Sequence, residues 1–180
     1  MSPSTETDLR YPIGKYQPAG RNLTPDERRA HILTISGAPE DLREALRGLS
    51  DAQLDTPYRP GGWTLRQLVH HIADSHMNAY VRVKLALTEA SPTIKPYDEK
   101  AWAELVDSRL PVEVSQILID GLHRRWVALL DSLKPEDWQR AFIHPEHDHS
   151  VTLEEVAAIY SWHSRHHIAH IVELRKRKNW

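Results

Sequence analysis

His163 and His167 stand four positions apart in the segment Tyr160-Ser161-Trp162-His163-Ser164-Arg165-His166-His167-Ile168-Ala169-His170-Ile171. On a helix this spacing puts two imidazoles on one face, one turn apart, with Cβ atoms roughly 5–6 Å from each other. Rings placed this way can close on one cation at metal–nitrogen distances of about 2.0–2.1 Å. H-E-x-x-H metalloprotease sites use the same geometry, but Ser164 stands where their glutamate would be, which disfavours that class. The pair His166 and His170 repeats the spacing, so spacing alone does not choose between them. The helix face does. Val156, Ile159, Tyr160, His163, His167, Ile171 and Leu174 form one stripe, apolar above and below the two histidines, which should point inward. A buried ring without a partner costs about 1–3 kcal/mol, and a shared metal ion would satisfy both rings.

A third ligand should come from a facing helix. The segment Leu65–His76 carries the doublet His70-His71. His71 shares a face with Leu68, Ile72 and Ser75, whereas His70 lies about 100° round toward the charged side. Periodicity alone leaves the doublet ambiguous. We take His71 as the ligand and His70 as a neighbour at the edge of the site. Three neutral imidazoles leave coordination positions for water, the mark of a catalytic rather than a structural site. A metal there would lower the pKa of bound water, polarise a carbonyl or stabilise a thiolate. Asp74, three residues beyond His71, is the candidate catalytic carboxylate, to orient a ligand or accept a proton. Asn78 is placed to hold substrate or simply to pack. His31, His76, His123, His166 and His170 are assigned to the surface, to interfaces or to the surroundings of the site. His144, His147, Asp148 and His149 sit on a hydrophilic stretch read as a solvated loop, with closure over the site as its alternative.

Four long helices must position these side chains. Thr24-Pro25-Asp26-Glu27 combines an N-cap threonine, a first-turn proline and a capping-box glutamate, and its helix should run to about Leu49 with a kink at Gly37 and Pro39. Thr64 with Gln67 opens a second helix to about Glu89. A third runs from about Val112 to Leu133. Thr152 with Glu155 opens a fourth that reaches about Arg177. A short helical stretch covers 97–105, and 141–151 reads as two short strands around a turn. Residues 1–23, with Pro3, Pro12, Gly14, Pro18 and Gly20, form an extended arm whose Tyr11, Ile13 and Tyr16 can pack on the body. The expected architecture is therefore all-α: one four-helix-bundle domain over 24–180, the arm before it, and an irregular loop or small hairpin before the last helix.

Composition narrows the chemistry. The 180 residues include no cysteine, which excludes disulfides, thiolate nucleophiles and cysteine-ligated zinc, so a transition metal must be held by histidine and carboxylate. A balance of 23 basic and 25 acidic residues gives no basic surplus for nucleic acid. The basic run Arg175–Lys178 reads as complementing the dipole of its own helix C-terminus. No segment is apolar enough to span a membrane and no secretory signal is evident at the start, so a cytoplasmic location is expected.

The His71 helix and the Trp162–Ile171 segment resemble those of the DinB/YfiT-like metalloproteins, a family described as metal-dependent hydrolases. So do Tyr11-Pro12-Ile13-Gly14-Lys15-Tyr16, Gly61-Gly62-Trp63-Thr64, Ala73-Asp74-Ser75-His76-Met77-Asn78 and Pro96-Tyr97-Asp98-Glu99-Lys100-Ala101-Trp102. The resemblance extends over nearly the whole chain. It implies a four-helix bundle, a homodimer, and one zinc or nickel ion held by His71, His163 and His167. It also implies hydrolysis of a small-molecule substrate, with metal-dependent transfer of a low-molecular-weight thiol such as bacillithiol as the alternative. A non-catalytic metal-binding dimerisation module is the third reading.

Overall fold

The computed structural model describes residues 8–18, 22–146 and 149–180. Its elements are α1 (Pro25–Leu46), α2 (Asp51–Leu54), α3 (Leu65–Thr88), α4 (Glu99–Ala103), α5 (Val112–Asp131), β1 (Ala141–Ile143), β2 (Ser150–Thr152) and α6 (Leu153–Lys178). Capping boxes start α1, α3 and α6: the Thr24, Thr64 and Thr152 hydroxyls accept from the backbone three residues on, and Glu27, Gln67 and Glu155 reach back. Helix α1 stays helical through Gly37 and Pro39. Helix α6 ends at Asn179, which adopts the left-handed conformation, after a basic last turn.

Helix α1 packs on α5 and α6, and α3 packs on the same two, so α1 and α3 occupy opposite corners of a four-helix bundle. The expected hairpin forms, with Phe142 opposite Val151 in an antiparallel pair. It is tied to the chain leaving α3 by Ile94 N–H to the Ile143 carbonyl (3.0 Å) and Ile143 N–H to the Pro92 carbonyl (2.9 Å). Within the described part of the arm, Tyr16 packs edge-on against Trp162 and Tyr11 lies beside His166, while Ile13 is largely exposed. Glu154, 3% exposed, binds the arm's end to the bundle. One carboxylate oxygen pairs with Arg28 and the other accepts from the backbone N–H groups of Asn22 (3.0 Å) and Leu23 (3.3 Å).

The interior is divided. One apolar cluster gathers Ile32, Ile35, Val83, Trp126, Leu130 and Leu153 toward one end of the bundle. Another gathers Leu42, Leu65, Leu68, Ile119, Ile171 and Leu174 toward the other. Between these clusters three of the helices carry polar residues inward: Ser75 and His76 on α3, His123 on α5, and Ser161, His163, Ser164 and His167 on α6. Burying polar groups midway through a bundle is unfavourable unless they are bonded to each other or to a ligand. This layer is where the site lies. Among the described residues, no helix is long and apolar enough to cross a membrane.

Candidate metal centre

His71 projects from α3 toward His163 and His167 on α6. One nitrogen from each of the three rings lies within 4.8 Å of the other two. The Nε2 atoms of His163 and His167 are 3.0 Å apart. Two donors on one tetrahedral ion with bonds of about 2.0–2.1 Å stand roughly 3.3 Å apart, so this pair needs little adjustment to share an ion. His71 and His167 are 5% and 8% exposed, and His163 is partly buried. Burial holds all three rings neutral: it lowers His71 to about 4, and it leads the causes that put His163 and His167 well below the ordinary histidine value, with neighbouring imidazoles adding to it. A neutral imidazole presents a lone pair, the form a metal takes. The donor set therefore fits a divalent transition metal.

The doublet ambiguity is resolved by packing. His70 turns to α5, where its Nε2–H donates to the Leu110 carbonyl (3.0 Å) and its Nδ1 accepts from the Ser115 hydroxyl (2.7 Å). It is a satisfied core histidine rather than a neighbour of the site. Among the histidines assigned to the surface, to interfaces or to the surroundings of the site, His76 reaches His163 and His166 packs edge-on against His167, as the last of those assignments has it. His76, His123, His166 and His170 are all buried. His166 and His170 bring their Nε2 atoms to 3.2 Å and form a second three-histidine group with His167. That group is less suited to a cation. His170 is held down to about 3 by burial first, then by His166 and the positive charges of Arg59 and Arg177, and the same charges would repel a metal ion.

The three imidazoles open into a cleft of about 660 Å³ whose lining includes Tyr11, Arg59, Trp63 and Glu99. Trp63 stands over His71 with ring centroids 4.6 Å apart. A second cleft of about 760 Å³ also reaches His163 and is lined by Arg82, Tyr97, Glu99 and His144 among others. His144 thus faces a hollow that reaches His163, while His149 lies 3.4 Å from Glu155 at the start of α6. His147 and Asp148 fall outside the described residues. Asp74 is half-buried, does not belong to the three-imidazole group and lines neither cleft. Burial first, then Asp107, pushes its pKa up to about 6.

Three polar residues of the layer were given no specific role from sequence. Ser75 Oγ lies 3.5 Å from His163 Nε2 and 3.4 Å from the Tyr160 hydroxyl. His76 and His123 are 0% and 2% exposed, and a signal for both exists in the sequence. Ile72, His76, Ala79 and Val83 follow core spacing on α3, as Ile119, His123, Trp126 and Leu130 do on α5. An imidazole occupying one position of an otherwise apolar stripe is a buried imidazole.

Known proteins resemble this chain in sequence and fold. Residues 34–171 match the model of the DinB superfamily. A protein of Bacillus mycoides named "Putative metal-dependent hydrolase" is 53% identical over 173 residues, covering 96% of this chain and 99% of that protein. One of the same name from Bacillus cereus is 54% identical over the same shares. The solved structure of YfiT from Bacillus subtilis is described as a probable metal-dependent hydrolase with an unusual four-helix bundle topology. It matches with a TM-score of 0.92 and 49% identity, over 96% of this chain and 98% of that one. The chain belongs to the DinB superfamily.

Proposed function

We propose that the protein is a metal-dependent hydrolase that holds one divalent ion, zinc or nickel, through His71, His163 and His167, and acts on a small molecule in the adjoining cleft. The observation that carries this reading is the convergence of three neutral imidazole nitrogens within 4.8 Å from two facing helices. The names given to the Bacillus relatives support the same reaction class. When bound, the ion supplies a Lewis acid that polarises a substrate oxygen and acidifies water. The chain's own residues supply the rest. Trp63 and Tyr11 give the cleft apolar walls, Arg59 gives it positive charge, and a volume of about 660 Å³ suits a small molecule. Asp74, pushed up to about 6, is our proton acceptor for near-neutral pH. Since it lines neither cleft, it would act through an intervening group.

We extend the proposal to a homodimer in the cytoplasm. Val106, Leu110, Val114, Ile117 and Leu118 lie exposed on α5 and the turn before it, with Val106 81% and Ile117 75% accessible. An apolar strip of that kind suits a second copy. Ile117→Asp should then yield monomers by light scattering, and a wild-type chain already monomeric would remove the dimer.

The test of the reaction is turnover by the metal-loaded protein on model esters and amides. The expected result is product release that needs no added thiol and stops with EDTA. Hydrolysis indifferent to EDTA would overturn the proposal. Turnover that appears only when bacillithiol is added would replace it with thiol transfer.

A further inference from the structure

Behind His163, away from the cleft, three buried groups stand in line. His163 Nδ1 lies 3.1 Å from His76 Nε2. His76 Nδ1 lies 2.7 Å from His123 Nε2. His123 Nδ1 lies 2.7 Å from the carbonyl oxygen of Ile35 on α1. The chain of contacts thus crosses the bundle from α6 through α3 and α5 to α1.

A carbonyl oxygen can only accept, so the direction of every proton in this row follows from its far end. His123 must carry its hydrogen on Nδ1. Being neutral, it offers a bare Nε2, which accepts from His76 Nδ1–H. His76 then offers a bare Nε2, which accepts from His163 Nδ1–H. His163 is left with its lone pair on Nε2, the nitrogen that faces His167. Deep burial keeps His76 and His123 neutral, as the direction requires.

The carbonyl at the end of the row is available for a reason visible in the sequence. In an unbroken helix the Ile35 carbonyl would accept from the amide of residue 39. Residue 39 is proline, which has no N–H to give. The interior proline of α1 therefore frees the acceptor that His123 takes.

We propose that Pro39, His123 and His76 act as positioning residues for the metal site. They form a relay from the freed Ile35 carbonyl that fixes the tautomer and ring orientation of His163 before any ion binds. The partners of a metal-bound histidine commonly set its tautomer and raise its basicity. Here that task falls to two further imidazoles in series. The contrast with His167 supports it, since the Nδ1 of that ring is buried without a hydrogen-bond partner.

The proposal rests on the metal-site reading above, but its first test does not need metal. Long-range nitrogen–proton NMR spectra of metal-free protein labelled in histidine should show His123, His76 and His163 all as Nδ1–H tautomers. Neutral imidazole in water prefers the Nε2–H form, so packing without the relay would not give three in a row. His163 in the Nε2–H form, or exchanging between forms, would overturn the proposal. The second test is zinc affinity. His76→Phe should bind zinc about 10–100-fold more weakly at unchanged stoichiometry. His76→Gln keeps an acceptor for His163 and a donor for His123 and should stay close to wild type. Equal losses in the two variants would reduce His76 to a packing residue and overturn the relay. Should His76→Phe fail to fold, the wild-type spectrum still decides. Wild type that shows the three tautomers but takes up no zinc would instead refute the metal-site reading.

Discussion

Acid should destabilise the metal-free protein through His71 by an amount the structure sets. Burial lowers this ring to about 4 in the folded state, against 6.5 in an unfolded chain. As pH falls below 6.5 the unfolded chain takes up a proton that the folded chain refuses, so stability falls with pH. The loss begins near pH 6.5, is complete near pH 4, and does not grow below that. Its full size is about 3 kcal/mol, of which about 2 kcal/mol has already gone at pH 5. That is a large share of a typical stability of about 5–15 kcal/mol. The buried rings of His76, His163 and His167 shift in the same direction and add to the fall. Asp74 opposes it: raised to about 6, it gains a proton in the folded state first, so it adds stability as pH drops through 6. Comparison with His71→Phe isolates the one ring. Urea unfolding followed by circular dichroism at pH 7 and pH 5, without metal, should show the variant losing about 2 kcal/mol less than wild type. Equal losses in the two proteins would mean that His71 is not held neutral by burial, and the reasoning would fail.

Glu154→Ala should cost about 3 kcal/mol in urea unfolding, because it leaves the partly buried Arg28 charge unpaired. It should also speed amide exchange at Asn22 and Leu23, whose N–H groups lose their acceptor; unchanged exchange there would refute the tether. Trp126 is fully buried in the apolar cluster beside His76 and His123, so Trp126→Ala should cost about 3–5 kcal/mol. That corresponds to a melting temperature lower by roughly 10 °C, and a drop of a degree or two would place Trp126 outside the core.

His163 and His167 were legible because both the i, i+4 spacing and the apolar stripe are properties of one helix. The four long helices and the three capping boxes are local in the same sense, and their ends came out within a few residues. His71 was legible only as a member of a doublet. What separates it from His70 is the Leu110 carbonyl and the Ser115 hydroxyl, which belong to the approach and first turn of α5 and take His70 for themselves. The row from Ile35 through His123 and His76 to His163 joins four helices. No periodicity along one of them reveals it, although the core spacing of His76 and His123 marks both as buried. Pro39 reads as a kink in sequence, but its consequence here is a free carbonyl in a helix that continues past it. Asp74 was chosen for lying one turn beyond His71, yet the carboxylate that lines both clefts is Glu99 on α4, an element whose placement against α3 is purely tertiary.

The central claim is that His71, His163 and His167 together make one metal site. Calorimetric titration of metal-free protein with zinc at neutral pH measures it directly, in wild type and in His71→Ala, His163→Ala and His167→Ala. The account predicts one ion per chain in wild type and loss of that binding in each of the three variants, each of which still folds by circular dichroism. Undiminished binding in His71→Ala, or no binding to wild type, would contradict it.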